Sequence, residues 1–195
     1  MVWIVVDGMD GSGKSSVAEI MERELTKRGR KVLVLTHPNT DTFVGRVEAR
    51  ALCIQGKAAK IVSVLAYITD VIHSIVAMKL TRRNYDDYIF VRYIMGVAYL
   101  SEKPARIAYR IFDCIFPRPE YKVLVDVEAS VALERIKMRG QDLEVYETLD
   151  KLEDTRHKML LLSDGWMVVD NNGPLDGTDE TISLYLDEIS SWEKL

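Results

Sequence analysis

The sequence predicts an α/β fold of three layers, in which a five-stranded parallel sheet has helices on both faces. Two observations carry this prediction. Short runs rich in Val, Ile and Leu have the length of strands, and stretches with apolar residues at helical spacing separate them. Strands that alternate with helices pair in parallel, and such a sheet is covered on both faces. Because the 195 residues contain no repeat or low-complexity linker, we expect one domain over residues 1–195.

Each predicted strand is a short apolar run that ends near a turn residue or a charge. The second, residues 32–35, lies between Gly29 and Pro38 and is apolar throughout, as expected of a strand buried on both faces. In chain order, the predicted strands are residues 2–6, 32–35, 88–91, 122–125 and 167–169.

The predicted helices occupy the longer segments between these strands. Pro117 and Pro119 end the helix before the fourth strand, since proline cannot continue a helix. A polar, charged segment, residues 139–147, interrupts the helices that follow the fourth strand. In chain order, helices are predicted over residues 16–25, 43–53, 58–80, 96–112 and 130–138, from the polar segment to about 162, and over 178–192.

Composition and charge exclude several classes of protein. The formal net charge of −4 argues against broad nucleic-acid binding. Residues 2–6 are too short for a signal peptide and the apolar stretch 61–80 carries charges, so we expect no membrane span and a cytoplasmic location. The histidines and cysteines show no metal-binding spacing, and we expect Cys53 and Cys114 to be buried free thiols.

Residues 8–15 fit the phosphate-binding loop (P-loop) pattern G-x-x-x-x-G-K-[ST] at every defined position, between a predicted strand and a predicted helix. The glycines let the backbone close around a phosphate group, and the N–H groups at the helix start point at the anion. Lys14 can reach the β- and γ-phosphates, and the Ser15 hydroxyl can hold Mg²⁺. The expected ATP-binding residues are Gly8, Met9, Asp10, Gly11, Ser12, Gly13, Lys14, Ser15 and Ser16.

Ligands of parallel sheets bind beyond the carboxyl ends of the strands. The segments that follow the first four predicted strands are therefore where we expect the site: residues 8–15, 36–40, 92–93 and 126–128. Asp126 is a candidate acid at a strand end, as are Asp86 and Asp87. We interpret Asp126 as a structural residue more readily than as a metal ligand.

The chain resembles the thymidylate kinase family of nucleoside monophosphate kinases nearly from end to end. Residues 7–15, 36–38 and 92–93 stand where the family has its phosphate loop, its Arg-Glu-Pro stretch and the end of its Asp-Arg-Tyr motif. Residues 117–128 are similar to the family's approach to the fourth strand, and residues 132–140 match the helix that leads into its lid. The resemblance implies a P-loop NTPase fold, ATP as donor with Mg²⁺, and a nucleoside monophosphate as acceptor, with dTMP expected.

The resemblance also implies roles on the acceptor side. Asp10 would contact the 3′-hydroxyl of the acceptor, and Arg92 would hold its phosphate. Arg50 stands where the family has another arginine for that phosphate. Tyr67 stands where an aromatic ring stacks on the base, although an ordinary core tyrosine is an equally good interpretation. The expected acceptor-binding residues are Asp10, Arg50, Tyr67, Arg92 and Tyr99.

The phosphate loop contains no arginine, so the resemblance implies that a lid over about residues 138–147 supplies one. Arg135, Lys137 and Arg139 are the candidates, the alternative being a solvated helix face. Lys14, Arg92, Arg135 and Arg139 form the expected catalytic set. The resemblance further implies a homodimer through the mostly apolar stretch 61–78.

Several positions depart from the family pattern. Val91 replaces an aspartate that helps to hold Mg²⁺, Val71 replaces an arginine that binds the thymine edge, and His37 replaces a glutamate. Residues 94–97 replace polar residues of the family. Two alternatives therefore stay open: a kinase for a different nucleotide or nucleoside acceptor, and a catalytically weak nucleotide-binding regulatory protein.

Overall fold

Strands and helices alternate along the chain in a computed structural model that describes the backbone of residues 1–39, 57–139 and 147–192. Side chains are described in these ranges except for residues 57–65, 175–176 and 190–192. The strands are β1 (Val2–Asp7), β2 (Val32–Thr36), β3 (Asp87–Val91), β4 (Tyr121–Asp126) and β5 (Met167–Asp170). The described α-helices are α1 (Lys14–Lys27), α2 (Lys57–Thr81), α3 (Glu102–Ile115), α4 (Ala129–Met138), α5 (Leu149–Leu162) and α6 (Leu175–Trp192).

The five strands form one parallel sheet in the order β2-β3-β1-β4-β5. In the register of the sheet, Val5 of β1 lies beside Phe90 of β3, and Val6 lies beside Val123 of β4. The predicted α/β fold with a five-stranded parallel sheet is therefore confirmed. The predicted helix over residues 43–53 lies outside the described residues.

The core consists of two apolar clusters, one on each face of the sheet. Side chains of a strand point alternately to the two faces, so β1 supplies Trp3 and Val5 to one cluster and Ile4 and Val6 to the other. The first cluster is covered by α2, α4 and α5, and the second by α1 and α6. All six residues of β1 are buried, which explains why residues 2–6 are apolar without alternation.

The segment after β3 differs from the predicted helix over residues 96–112. A short 3₁₀-helix spans Met95–Tyr99, the backbone is extended at Leu100 and Ser101, and α3 begins only at Glu102. Pro104 explains the break, because proline lacks a backbone N–H and is tolerated only in the first turn of a helix. A hydrogen bond of 2.6 Å from Lys158 Nζ to the Leu100 carbonyl holds the extended connection.

Three single-residue expectations are wrong. Asp86 and Asp87 lie at the amino end of β3, away from the carboxyl edge of the sheet. There Asp87 accepts hydrogen bonds from Arg30 and from the Val2 N–H, and Asp86 accepts one from the Lys31 N–H. Cys114 is a free thiol, as expected, but it is exposed on α3 rather than buried.

Of the helices in the described ranges, none combines the length and the apolar character that a membrane crossing requires.

Candidate active site

The phosphate loop joins the carboxyl end of β1 to α1 and lies beside β4. β2 and β3 lie on one side of β1, and β4 and β5 lie on the other, so the loop stands at the point where the strand order reverses. Gly11 and Gly13 have positive φ angles of 75° and 89°. A Cβ atom at Gly11 would lie 2.4 Å from the Ala132 carbonyl oxygen, so only glycine fits against α4. Gly13 caps α1 without a side-chain hydrogen bond, which leaves the first-turn N–H groups to an anion.

Three of the predicted site residues surround the carboxylate of a fourth, Asp10. Arg92 Nη2 donates to Asp10 Oδ1 at 2.5 Å, and the Tyr99 hydroxyl donates to Oδ2 at 2.6 Å. Lys14 Nζ lies 3.5 Å from Oδ1 and donates to the Met9 carbonyl at 2.9 Å. The structure thus brings together the loop lysine and the arginine that follows β3.

The charges of this cluster change the acidity of its members. Burial raises the pKa of Asp10, but the positive charges of Lys14 and Arg92 outweigh burial and hold this pKa far below its usual range. Burial, together with the charge of Arg92, lowers the pKa of Lys14 to about 8. Burial and the neighbouring Asp10 carboxylate raise the pKa of the Tyr99 hydroxyl well above its ordinary value. Tyr99 therefore stays a hydrogen-bond donor at neutral pH.

Arg92 adopts a left-handed backbone conformation, with φ of 65°, that is rare for a residue with a side chain. Its N–H donates to the Val6 carbonyl at 3.0 Å, and Nη1 donates to the His37 carbonyl at 3.1 Å. His37 Nδ1 lies 2.6 Å from the Arg92 carbonyl, and the His37–Pro38 peptide bond is cis. Residues at the ends of β1 and β2 therefore hold the backbone that directs the Arg92 side chain to Asp10.

His37 is fully buried and has a partner at each ring nitrogen. Nδ1 faces the Arg92 carbonyl, which can only accept, so Nδ1 carries the proton. Nε2 then accepts from the Ser74 hydroxyl at 2.8 Å on α2. Burial lowers the pKa of His37, and the hydrogen bond to the Arg92 carbonyl and the charge of nearby Asp70 only partly oppose this effect. His37 is thus a neutral anchor between α2 and Arg92, in place of the glutamate expected at this position.

Asp7, at the end of β1, turns inward and organises the loops. Its carboxylate accepts from the N–H groups of Tyr93, Met95 and Gly8 at 2.9, 3.2 and 3.3 Å. Burial raises the pKa of Asp7, and the hydrogen bonds from the N–H groups of Tyr93 and Met95 counteract this rise. This carboxylate fixes the start of the 3₁₀-helix and of the phosphate loop.

The arginines expected in the lid already have protein partners. Arg135 donates to the Asn171 carbonyl at 2.9 Å, and Arg139 pairs with Glu147 at 2.8 Å. Lys137 is exposed, and residues 140–146 of the expected lid lie outside the described residues. Both oxygens of Asp126 accept from Arg156 at 2.8 Å, which agrees with a structural role for this acid.

On the acceptor side, Tyr67 is half-buried and its hydroxyl donates to the Tyr93 carbonyl. Its ring lies beside the His37 ring, with centroids 6.4 Å apart, and close to Gly96. Val71 is 0% exposed and belongs to the core, so it does not replace the missing arginine. Arg50 lies outside the described residues.

Sequence reasoning missed two residues that this geometry makes prominent. His37 appeared only as a departure from the pattern, and its anchoring of Arg92 depends on the fold. Asn171 follows β5 at the carboxyl edge and donates to the Ser12 carbonyl at 2.7 Å. The rule that collects residues after each strand would have found Asn171 if it had been applied to the fifth strand.

The parallel sheet, the strand–loop–helix unit and the cluster of lysine, arginine and aspartate define a P-loop enzyme that handles phosphate groups. The model of the thymidylate kinase family matches residues 6–182. The chain therefore belongs to the thymidylate kinase family. It is an enzyme, a nucleoside monophosphate kinase, and the resemblance noted from the motifs is confirmed.

Relatives of similar length agree with this assignment. The chain is 27% identical over 194 residues to a probable thymidylate kinase of Archaeoglobus fulgidus, with 98% of this chain and 97% of that protein covered. It is 25% identical over 197 residues to a thymidylate kinase of Leptospira interrogans, with 97% and 96% covered. A probable thymidylate kinase of Metallosphaera sedula is 28% identical over 176 residues, with 89% and 86% covered.

The lowered pKa of Lys14 predicts an alkaline limit for nucleotide binding. The protonated amine is the form that attracts phosphate, so affinity is full below a pH of about 8 and falls above it. The dissociation constant of Mg-ATP should rise about tenfold per pH unit beyond that point. Titrations between about pH 6.5 and 10 measure it. An affinity that stays constant across this range would contradict the prediction.

The buried, neutral His37 predicts loss of stability in mild acid. Its folded pKa lies below the ordinary 6.5, so the unfolded chain binds the proton more readily. The free energy of unfolding should therefore fall as the pH drops through 6.5, by at most about 1.4 kcal/mol per pH unit. Urea unfolding of the wild type and of His37→Gln would show a flatter profile for the variant.

The exposed His157 supplies the control for this comparison. The His157→Gln variant should keep the wild-type profile. Equal slopes in the wild type and in His37→Gln would contradict the prediction, because they would mean that the pKa of His37 is the same in the folded and the unfolded state.

Proposed function

We propose that this enzyme transfers the γ-phosphoryl group of ATP to a nucleoside monophosphate, with dTMP as the acceptor. One observation carries the proposal: the Asp10 carboxylate holds both Lys14 of the donor loop and Arg92 of the acceptor side. Two cations that share one small site suit a reaction in which two phosphate groups must approach each other.

Different residues would bind the two substrates. The loop N–H groups and Lys14 would bind the β- and γ-phosphates of ATP. Arg92 would bind the acceptor phosphate with its forked donors, and the lone pairs of the Asp10 carboxylate that Arg92 and Tyr99 do not use would accept from a sugar hydroxyl. The attacking phosphate is already ionised at neutral pH, so the reaction needs no general base. Arg135 and Arg139 are the candidates for neutralising the transferred group.

The residues present fit a magnesium ion held mainly by the nucleotide. Ser15, the second residue of α1, is exposed, whereas hydrogen-bond donors already occupy the oxygens of Asp7 and Asp10. Among the described residues, no three His, Cys, Asp or Glu side chains form a metal-binding group. We infer that the Ser15 hydroxyl would hold Mg²⁺, which keeps several waters in such sites. A bound Mg²⁺ supplies charge neutralisation on the phosphates.

The relatives' names support dTMP as the acceptor, and Tyr67 supplies an aromatic ring near His37. Val71, buried in the core, supports a different way of binding the base edge or a different acceptor. Position 91 is a buried valine and supplies no carboxylate for the metal. These two positions motivate a kinase with another acceptor and a weakly catalytic nucleotide-binding protein, and the acceptor assay below separates the three functions.

A coupled assay of ADP release with Mg-ATP and a panel of ribo- and deoxynucleoside monophosphates tests the proposal. We expect the highest kcat/KM with dTMP. Lys14→Ala should lower the rate at least about 100-fold, because removal of a preorganised phosphate ligand costs roughly 3 kcal/mol of transition-state stabilisation. Lys27→Ala, on the same helix with a side chain 62% exposed, is the matched control and should keep wild-type activity.

The pattern of turnover decides among the candidates. Preference for another acceptor would reassign the substrate. ATP binding without transfer to any acceptor would favour the regulatory protein, as would activity that arises only in Val91→Asp. Equal rates in Lys14→Ala and the wild type would contradict the proposed phosphate loop chemistry.

We also propose that the enzyme is a homodimer. One face of α2 packs into the core through Val71, Ile75 and Met78. The opposite face carries Ile72, Val76 and Leu80, which are 46%, 46% and 79% exposed at successive turns. An exposed apolar stripe of this kind is typical of a helix that packs against a second copy.

Light scattering at working concentration tests this proposal. The wild type should have twice the chain mass, and Val76→Lys should reduce it to the mass of one chain. Ile111→Lys on α3 is the matched control, since Ile111 is 47% exposed, and it should remain dimeric. A monomeric wild type, or a monomer produced only by Ile111→Lys, would contradict an interface on α2.

A further inference from the structure

Asn171 is buried directly beneath the phosphate loop, although it comes from the far end of the chain. It follows β5, is 2% exposed, and its N–H donates to the Asp126 carbonyl at 2.9 Å. This bond continues the pairing of β4 with β5 by one residue beyond the end of β5. The rigid edge of the sheet therefore fixes the position of the Asn171 backbone.

The hydrogen bonds of the Asn171 amide determine its orientation. Nδ2 donates to the Ser12 carbonyl at 2.7 Å, and Oδ1 accepts from the Thr178 hydroxyl at 2.8 Å. A carbonyl oxygen only accepts, so the amide nitrogen must face Ser12. Both bonds are buried, which makes the loss of either one costly.

The bond to Ser12 orients the peptide group at the centre of the phosphate loop. Among the described residues, His37–Pro38 is the only cis peptide bond, so the Ser12–Gly13 peptide is trans. In a trans peptide the C=O and N–H groups point in opposite directions. A Ser12 carbonyl turned to Asn171 therefore directs the Gly13 N–H to the other side of the loop, where a phosphate would bind.

The two partners also fit each other sterically. A Cβ atom at Gly13 would lie 2.3 Å from Asn171 Nδ2, so the amide occupies the space that the glycine leaves free. The carbonyl of Asn171 in addition accepts from Arg135 at 2.9 Å. One residue thus contacts the phosphate loop through its side chain and an expected lid arginine through its backbone.

We propose that Asn171 is a positioning residue for the donor phosphates: its amide holds the Ser12–Gly13 peptide in the orientation that binds ATP. It acts through the loop and need not touch the nucleotide. The inference rests on the proposed binding of ATP by this loop, and it assigns a role to a residue outside the loop motif.

The Asn171→Asp variant tests the hydrogen bond with almost no change in shape. Aspartate keeps an acceptor for Thr178 but has no donor for the Ser12 carbonyl. Asn172→Asp is the matched control, because it adds the same charge one residue away. The Asn172 side chain contacts the Glu128 N–H and Asp170 rather than the loop.

Equilibrium titrations with Mg-ATP and separately with dTMP supply the readout, together with a melting curve for each variant. Asn171→Asp should weaken ATP binding at least about tenfold beyond Asn172→Asp, and dTMP binding should change less than about twofold. In steady state this appears as a raised KM for ATP at an unchanged KM for the acceptor. A residue that only stabilised the fold would not separate the two substrates.

If Asn171→Asp does not fold, the Thr178→Val variant replaces it. Valine has nearly the same shape as threonine and removes only the donor that holds the amide oxygen. ATP affinity should fall about threefold with acceptor affinity unchanged. Equal effects on both substrates, or ATP affinities equal to that of Asn172→Asp, would overturn the inference.

Lys14→Ala separates this inference from the proposed function. If the wild type binds ATP and Lys14→Ala does not, the proposed loop function holds, and an unaffected Asn171→Asp overturns the positioning role alone. If the wild type fails to bind ATP, or if Lys14→Ala binds it equally well, the proposed function and the inference both fall.

Discussion

The Asp10 carboxylate between Lys14 and Arg92 is the interaction on which the candidate site depends. Lys14 is buried and Arg92 is half-buried, so the two cations would repel each other and lose part of the solvation that water provides. The shared carboxylate offsets part of this penalty, as the depressed pKa of Asp10 reflects. Because Asp10 belongs to the phosphate loop and Arg92 follows β3, the same pair joins the expected donor and acceptor halves.

The strained backbone of Arg92 is tolerated because several elements hold it. The Val6 carbonyl at the end of β1 accepts from the Arg92 N–H. After β2, the His37 ring donates to the Arg92 carbonyl, and the His37 carbonyl accepts from the Arg92 guanidinium. A left-handed residue costs roughly 1–2 kcal/mol, which hydrogen bonds of this number can offset. The parallel sheet makes this possible, since it places the ends of β1, β2 and β3 side by side at one edge.

The departures from the family pattern fall outside the phosphate loop. The loop, Lys14 and the start of α1 keep the whole pattern, and their geometry suits a phosphate. Elsewhere in the site, the neutral His37 replaces a glutamate of the pattern. Val71 and Val91 are buried in the core at positions where the pattern has charged residues. The described structure therefore keeps the phosphate-loop pattern and has neutral side chains at three positions where the family pattern has charged ones.

Local periodicity and a contiguous motif were enough to predict the alternation of strands and helices, the parallel sheet and the phosphate loop. It also placed Asp10 and Arg92 at strand ends that must meet. The break at Pro104 and the position of Asp86 and Asp87 at the start of the third strand could also have been predicted from the sequence, since both depend on neighbouring residues. The folded structure adds that His37 holds the backbone of Arg92 and that the Asn171 amide supports the Ser12 carbonyl. These two outcomes depend on contacts between distant segments, about which local sequence carries no information.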